Sequence, residues 1–101
     1  MKQNKEQIIC ASIWLKEVER AAHRPINTPG GVVINGFRHG DCISCIVSLT
    51  GKKLYEHGDH IQGFLTNKNR FVDRLEGAEI WIKSGGKLNY STDKLYSEDL
   101  Y

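Results

Sequence analysis

The sequence predicts an α+β fold, in which a small antiparallel sheet carries two short helices packed on one face. Several short segments alternate in polarity or are rich in β-branched residues, which is typical of strands. Two other segments begin at a capping residue and continue with apolar residues at helical spacing. The chain of 101 residues is long enough for one hydrophobic core. We therefore expect a single domain over residues 8–101 after a disordered N-terminus at 1–7.

The first two strands are predicted at 8–15 and 32–36. In the first, IICASIWL, successive residues alternate between two faces, and the second, VVING, is apolar and β-branched. The connection at 16–31 gives no clear prediction, because its KEVERAAH stretch has helical propensity but lacks a cap and a full apolar stripe. A TPGG turn then breaks the chain.

The first helix is predicted at 41–50. Asp41 is a suitable N-cap, and Gly51 stands where a left-handed residue commonly ends a helix. The spacing i, i+3, i+4, i+7 then indicates a stripe that faces the core. This stripe is predicted to consist of Cys42, Cys45, Ile46 and Leu49.

The following segment is predicted to be a hairpin that leads into the second helix. After a loop at 52–60, strands at 61–66 and 70–72 are joined by a turn at 67–69. Because the connections are short, we expect hairpins rather than crossovers, and hence an antiparallel sheet.

The second helix is predicted at 73–84. Asp73 is its N-cap, and Glu76 stands three residues later, as in a capping box. Gly85 and Gly86 follow where the helix is expected to end. Its inner stripe is predicted to consist of Leu75, Ala78 and Ile82.

Charge and composition exclude several functional classes. The net charge of +2 is too small for a protein that coats nucleic acid, but it suits a small anionic ligand. The sequence has no apolar run of the roughly 20 residues that a membrane span needs, and no leader pattern. Three cysteines are an odd number, so we expect reduced thiols in a cytosolic protein.

One pattern is close to a zinc site. Cys42 and Cys45 form C-x-x-C, and His57 and His60 form H-x-x-H eleven residues later. Four such ligands suit tetrahedral zinc, but the spacing misses the finger pattern in both intervals. The alternative is that the two cysteines, one helical turn apart, fill the core. We predict that they face the core and bind no metal.

The residues for catalysis are present without a suitable arrangement. Cys42, His39 and Asp41 supply the residue types of a nucleophile, a base and an orienting acid. The start of a helix would point these side chains in different directions. A redox use of C-x-x-C would need a βαβ arrangement, which is not predicted. We therefore expect no catalytic residues, no cofactor and no enzymatic activity.

A nucleotide-binding arrangement is better supported. Arginine beside the free amides of a helix start favours phosphate, an aromatic ring can stack on a base, and an asparagine amide can bind its edge. The candidate ligand-binding residues are Arg38, His39, Phe64, Asn69, Arg70 and Arg74. The alternative is that Phe64 and Phe71 belong to the core while the arginines pair with nearby acids.

Three segments resemble a family of small phage and prophage proteins. They are GFRHGDC at 36–42, GFLTNKNRFVDR at 63–74 and KLYSEDLY at 94–101. The family pattern is R-H-x-x-C, then G-F-L-T-x-x-x-R-F-V-x-R, then L-Y-S-E-D-L. Among such proteins, the chain is similar to the first Thoeris anti-defence family.

That resemblance implies a phage-encoded sponge in the host cytoplasm. Such proteins sequester a cyclic ADP-ribose signal, and some hold cyclic oligonucleotides, without cleaving them, and they assemble as dimers and hexamers. By the resemblance, Arg38 and either Arg70 or Arg74 would hold phosphates, and Phe64 would stack on adenine. Its expected partners are thus a small nucleotide and further copies of the chain, and neither a membrane nor a long nucleic acid.

Two other functions remain open from the sequence. The first is a phage inhibitor that binds a host defence protein directly, such as a CRISPR or restriction component. The second is a zinc-binding module that acts on nucleic acid. The first predicts a protein partner and no nucleotide, and the second predicts stoichiometric zinc.

Overall fold

The computed structural model describes residues 5–18 and 25–100 of the chain. Its helices and strands are, in order, β1 (Ile8–Leu15), β2 (Val32–Gly36), α1 (His39–Thr50), β3 (His60–Thr66), β4 (Phe71–Asp73) and α2 (Arg74–Lys83). Short 3-10 turns lie at Leu54–His57 and Ser97–Asp99. The strands form one antiparallel sheet in the order β2-β1-β3-β4, which confirms the predicted α+β fold.

Both helices pack on the same face of this sheet. Phe64 of β3 lies opposite Ala11 of β1 and opposite Val72 of β4, and directly opposed residues share a face. The core has two adjoining clusters on that face. The cluster under α1 consists of Ala11, Ile13, Leu15, Cys42 and Ile46. The cluster under α2 consists of Phe64, Val72, Ala78, Ile80 and Leu95.

Helix α1 begins two residues earlier than predicted. Its N-cap is Arg38, and Asp41 lies at the third helical position, where its carboxylate accepts from the Arg38 backbone N–H at 3.0 Å. Asp41 therefore caps the helix from inside its first turn. Gly51 ends the helix with a φ of 72°, as predicted.

The predicted inner stripe of α1 is correct at Cys42 and Ile46 but wrong at Leu49, which is 74% exposed. The last turn of α1 lies over the edge strand β2. Leu49 there borders an open groove together with Val32 and Ile34, instead of being covered.

Helix α2 starts at its predicted cap. The Asp73 carboxylate accepts from the backbone N–H groups of Leu75 and Glu76. The capping-box pattern predicts that the Glu76 carboxylate binds the backbone at the start of the helix. Instead it accepts from Nη2 of Arg70 at 2.8 Å.

The predicted inner stripe of α2 is correct at Ala78 but wrong at Leu75 and Ile82, both of which are about half exposed. Compared with the predicted orientation, the helix is rotated about its axis, because Gly77 faces the sheet. A Cβ there would lie 3.0 Å from Cδ2 of Phe64, so the missing side chain lets the Phe64 ring approach the helix backbone.

The described part of the N-terminus is held against the β3–β4 turn. Gln7 and Asn67 exchange hydrogen bonds, and the Asn67 side chain donates to the carbonyl of Lys5 at 3.1 Å. Of the end predicted to be disordered, residues 5–7 are described here with these hydrogen bonds, and residues 1–4 lie outside the described residues. Within the described chain, neither α1 nor α2 has the length and apolar character needed to cross a membrane.

Candidate functional site

The three motif segments meet at the start of α1. Arg38 and His39 come from the first segment, Arg74 from the second and Leu95–Ser97 from the third. Arg38 donates from Nη1 to the carbonyl of Ser97, and Arg74 donates from Nη1 to the carbonyl of Leu95, both at 3.1 Å. We call this cluster the arginine site. It consists of Arg38, His39, Gln62, Arg74, Tyr96 and Ser97.

Arg74 is the central cation of the arginine site. Its guanidinium carbon lies 4.6 Å from the centre of the Tyr96 ring, and its Nη2 donates to Oε1 of Gln62 at 2.9 Å. Among the described residues, no carboxylate forms an ion pair with it. Because the side chain is half-buried, desolvation lowers the pKa of Arg74. The group remains charged, and the carbonyl and amide oxygens that it binds are neutral acceptors.

His39 is buried behind Arg74 and is held in one orientation. Its Nε2 lies 2.7 Å from the carbonyl oxygen of Gly63, which can only accept, so Nε2 carries the proton. Its Nδ1 then faces Nη2 of Arg74 at 3.5 Å. Burial lowers the pKa of His39, and the Arg74 charge lowers it further. The geometry therefore favours a neutral imidazole.

The start of α1 is adjacent to both arginines. The backbone N–H of His39 donates to Oγ of Ser97 at 3.3 Å, so the C-terminal segment occupies part of the helix terminus. The positive end of the helix dipole adds to the positive potential of the two guanidinium groups. Phe37 stands beside this terminus, 56% exposed, with the Arg38 guanidinium carbon 5.4 Å from its ring centre.

Two of the predicted ligand-binding residues lie away from the arginine site. Arg70 binds Glu6 through Nε and Nη2 at 2.7 and 2.9 Å, and it also binds Glu76 of α2. These carboxylates raise the pKa of Arg70. Arg70 thus ties the N-terminal residue Glu6 to α2.

Asn69 lies in the β3–β4 turn with a φ of 58°, and its carbonyl accepts from the Ile26 N–H at 2.8 Å.

Phe64 lies beneath the arginine site rather than in it. The ring is fully buried and contacts His39 edge-on, with 5.1 Å between ring centres. In this arrangement it supports His39 and has no surface on which a ligand base could stack. The alternative that Phe64 belongs to the core fits this position.

The arginine site also contains three residues that were not assigned from the sequence. Tyr96 and Ser97 lie in the third motif segment, which served only as a family signature. Gln62 could have been recognised from its position. It is a polar residue two positions before Phe64 on β3, so it lies on the core-facing side of the sheet.

The C-x-x-C and H-x-x-H residues are not brought together. Cys42 is fully buried, with Sγ 3.6 Å from the Ala11 carbonyl, and burial raises its pKa to about 11. Cys45 is half-buried. His57 Nε2 lies 3.0 Å from Oγ1 of Thr50, and His60 Nδ1 lies 3.1 Å from the Gly58 carbonyl. In the part of the chain that the structure describes, no three His, Cys, Asp or Glu residues are placed to hold a metal.

Comparison with known protein families gives a match over most of the chain. The model of a family described as Phage T4 y16D protein matches residues 7–101. The matched range includes all three motif segments and every residue of the arginine site. No curated protein and no solved structure matches the chain.

Proposed function

The chain belongs to the phage T4 y16D protein family, and from this premise we propose that it is an anti-defence sponge. In this proposal it binds a small anionic nucleotide of the cyclic ADP-ribose type in the host cytoplasm and holds it intact. Sequestering the signal would keep it from its host receptor. The proposal requires tight binding and slow release, and it requires no catalytic step.

The observation that carries the proposal is the environment of Arg74. A half-buried guanidinium loses hydration, and a carboxylate partner normally compensates for that loss. Among the described residues Arg74 donates hydrogen bonds only to neutral acceptors, and the Glu98 carboxylate acts on it through its charge without forming an ion pair. A phosphate would supply a directly bound negative charge, and a guanidinium can bind it through two parallel hydrogen bonds.

The neighbouring groups have distinct roles in this proposal. Arg38 is the second phosphate ligand, and the start of α1 favours the same charge. His39 orients Arg74 through the contact between Nδ1 and Nη2. Because its imidazole is neutral, it contributes no charge of its own. The exposed Phe37 ring replaces Phe64 as the surface on which the base stacks. Arg70 is excluded because two carboxylates already bind it.

A purely structural role for the two arginines is the competing hypothesis. Both donate to backbone carbonyls of the C-terminal segment, so they could serve only to hold Leu95–Ser97 in place. In that case their removal would lower stability without changing affinity for a nucleotide. Stability and affinity must therefore be measured on the same variants.

Isothermal titration calorimetry with cyclic ADP-ribose and linear ADP-ribose tests the proposal. Loss of a charged hydrogen bond of about 1.5–3 kcal/mol corresponds to roughly ten- to hundredfold weaker binding. We expect this loss for Arg38→Ala and for Arg74→Ala. Lys52→Ala, which removes an equal charge from a remote exposed position, is expected to bind like wild type. Equal affinity in all four proteins would contradict the proposal.

One observation favours a second candidate function, direct binding to a host defence protein. A groove of about 300 Å³ between α1 and the edge strand β2 is lined mostly by apolar side chains, including Val32, Ile34 and Leu49. An edge strand can add a strand from a partner protein. In an infection assay, Leu49→Glu would then abolish anti-defence activity while Arg74→Ala would retain it. The sponge proposal predicts the opposite pattern.

A further inference from the structure

A second cleft lies at the C-terminal end of α2, whereas Arg74 of the arginine site lies at the start of that helix. The volume of the cleft is about 450 Å³, within the range of small-molecule sites. It is lined by Lys5, Glu6, Ile80, Lys83 and Ser84. None of these residues belongs to the arginine site, and none was selected from the sequence.

One wall of this cleft is fixed in place by the N-terminal residues. Glu6 binds Arg70 through both carboxylate oxygens and also accepts from Oγ1 of Thr66 at 2.7 Å. The Lys5 carbonyl accepts from the Asn67 side chain. The wall is therefore bonded to the sheet before any ligand arrives, which lowers the cost of ordering it on binding.

The opposite wall comes from the last turn of α2 and the residue after it. Ile80 belongs to the core under α2 but keeps 9% of its surface exposed and lines the cleft, and Lys83 is an exposed charged residue of the lining. The Ser84 hydroxyl donates back to the Ile80 carbonyl at 3.0 Å, which fixes this end of the helix. The cleft thus combines an apolar wall with a charged rim.

The charges at the rim are unbalanced. Arg70 engages the carboxylates of both Glu6 and Glu76, so these three side chains together carry one net negative charge, against two positive charges on Lys5 and Lys83. The Arg70 guanidinium and the Thr66 hydroxyl hold the pKa of Glu6 below its usual value, which keeps it ionised and bound to them. Over residues 5–18 and 25–100, neither Lys5 nor Lys83 forms an ion pair. The lining therefore has two lysine side chains without an ion-pair partner among the described residues, and one net positive charge when Arg70 and Glu76 are included.

We propose that this cleft is a separate binding site for a small organic anion, whose negative group is held by Lys5 and Lys83 and whose apolar body packs on Ile80. The proposal is independent of the nucleotide sponge, because it uses different residues at the other end of α2. A ligand with charge but no apolar body, or the reverse, would use only half of the site.

Titration with naphthalene-2-sulfonate, followed by amide NMR shifts, tests this site. We expect saturable binding with shifts at residues 5–6 and 80–84. Removing one charged hydrogen bond weakens binding by about tenfold or more, so the double variant Lys5→Ala, Lys83→Ala should lose at least that factor. Naphthalene-2-sulfonamide, which has the same rings without the charge, should bind at least tenfold more weakly.

Two single variants show whether the sulfonate binds in the cleft itself. Lys87→Ala removes an equal charge four residues beyond Lys83 and should bind the sulfonate like wild type. Arg74→Ala should do so as well, since the arginine site is not involved. No saturable binding by wild type, shifts confined to residues outside the cleft, or equal binding by the double variant would overturn the proposal. Loss of binding in Arg74→Ala would also overturn it.

Discussion

Replacing Arg74 by methionine separates its structural contribution from its charge. Methionine keeps an unbranched apolar stem near Tyr96 but removes the guanidinium. The change deletes the bonds to the Leu95 carbonyl at 3.1 Å and to Gln62 at 2.9 Å, together with the contact to the Tyr96 ring. It also removes the guanidinium nitrogen Nη2 that lies 3.5 Å from Nδ1 of His39.

The expected loss of stability is small. Hydrogen bonds from a charged group contribute about 1.5–3 kcal/mol each, and a cation–ring contact about 0.5–1 kcal/mol. The variant also avoids the cost of desolvating a guanidinium on folding, which offsets much of this loss. The net cost is then about 1–2 kcal/mol, which corresponds to roughly 4–16 °C in the unfolding midpoint of a domain of this size. Thermal unfolding followed by circular dichroism measures the shift.

The same variant changes the titration of His39. Burial is the main cause of the lowered pKa of His39 and the Arg74 charge lowers it further, so removing that charge is expected to raise the pKa part of the way towards its ordinary value. Nitrogen-15 chemical shifts of the imidazole report the pKa directly. A His39 pKa that does not rise, in a variant that remains folded, would refute the inferred coupling between the two side chains.

Three further predictions concern the rest of the fold. Gly77→Ala gains about 1 kcal/mol of helix propensity but overpacks Phe64 at about 1–3 kcal/mol, so a denaturant titration should show a net loss near 1 kcal/mol; a gain in stability would contradict the close contact. Arg70→Met should cost about 1–2 kcal/mol at pH 7. Because the folded pKa of Glu6 is lowered, this contribution is present above the unfolded value of 4.5 and is lost as pH falls through the folded pKa, so wild type and variant should converge in acid. With a pKa of about 11, Cys42 should react with iodoacetamide more slowly than Cys45 at pH 8, as measured by peptide mass spectrometry, and equal rates would show that its burial is incomplete.

The strands and caps were predictable because their signals are local. Alternation in β1 predicts that Ala11, Ile13 and Leu15 face the core, and it fails only at Ile9, which is half exposed where the register shifts. The bounds of β1 and β2 are those that the sequence predicts. Asp73 and Gly51 act through backbone groups within three or four residues of themselves. Such interactions require no knowledge of the distant parts of the chain.

The helix faces were harder to predict because they depend on the partner surface. Leu75 and Ile82 have helical spacing, but the space at Gly77 draws the opposite side of α2 onto Phe64. Leu49 continues the apolar stripe of α1 over the edge strand β2, where it borders an open groove and stays exposed. In both helices the periodicity was present, and the tertiary contacts determined which part of it was buried.

The candidate site was partly predictable for a similar reason. Arg38, His39 and Arg74 are brought together, since each stands at the start of a helix on the same sheet face. Arg70 is drawn away by Glu6, a carboxylate 64 positions earlier in the chain, and no local pattern identifies that pair. Assigning Arg70 to the ligand required knowing which acids were near it.

Phosphorus-31 NMR of cyclic ADP-ribose mixed with equimolar protein tests the central claim most directly, because it reports capture and cleavage together. We predict that the phosphate signals shift or broaden with wild type and remain as in free ligand with the Arg38→Ala, Arg74→Ala double variant. After heat denaturation of the wild-type complex, the spectrum of unmodified ligand should return. Unchanged phosphate signals with wild type would contradict capture, and the signals of a hydrolysed product after release would show an enzyme instead of a sponge.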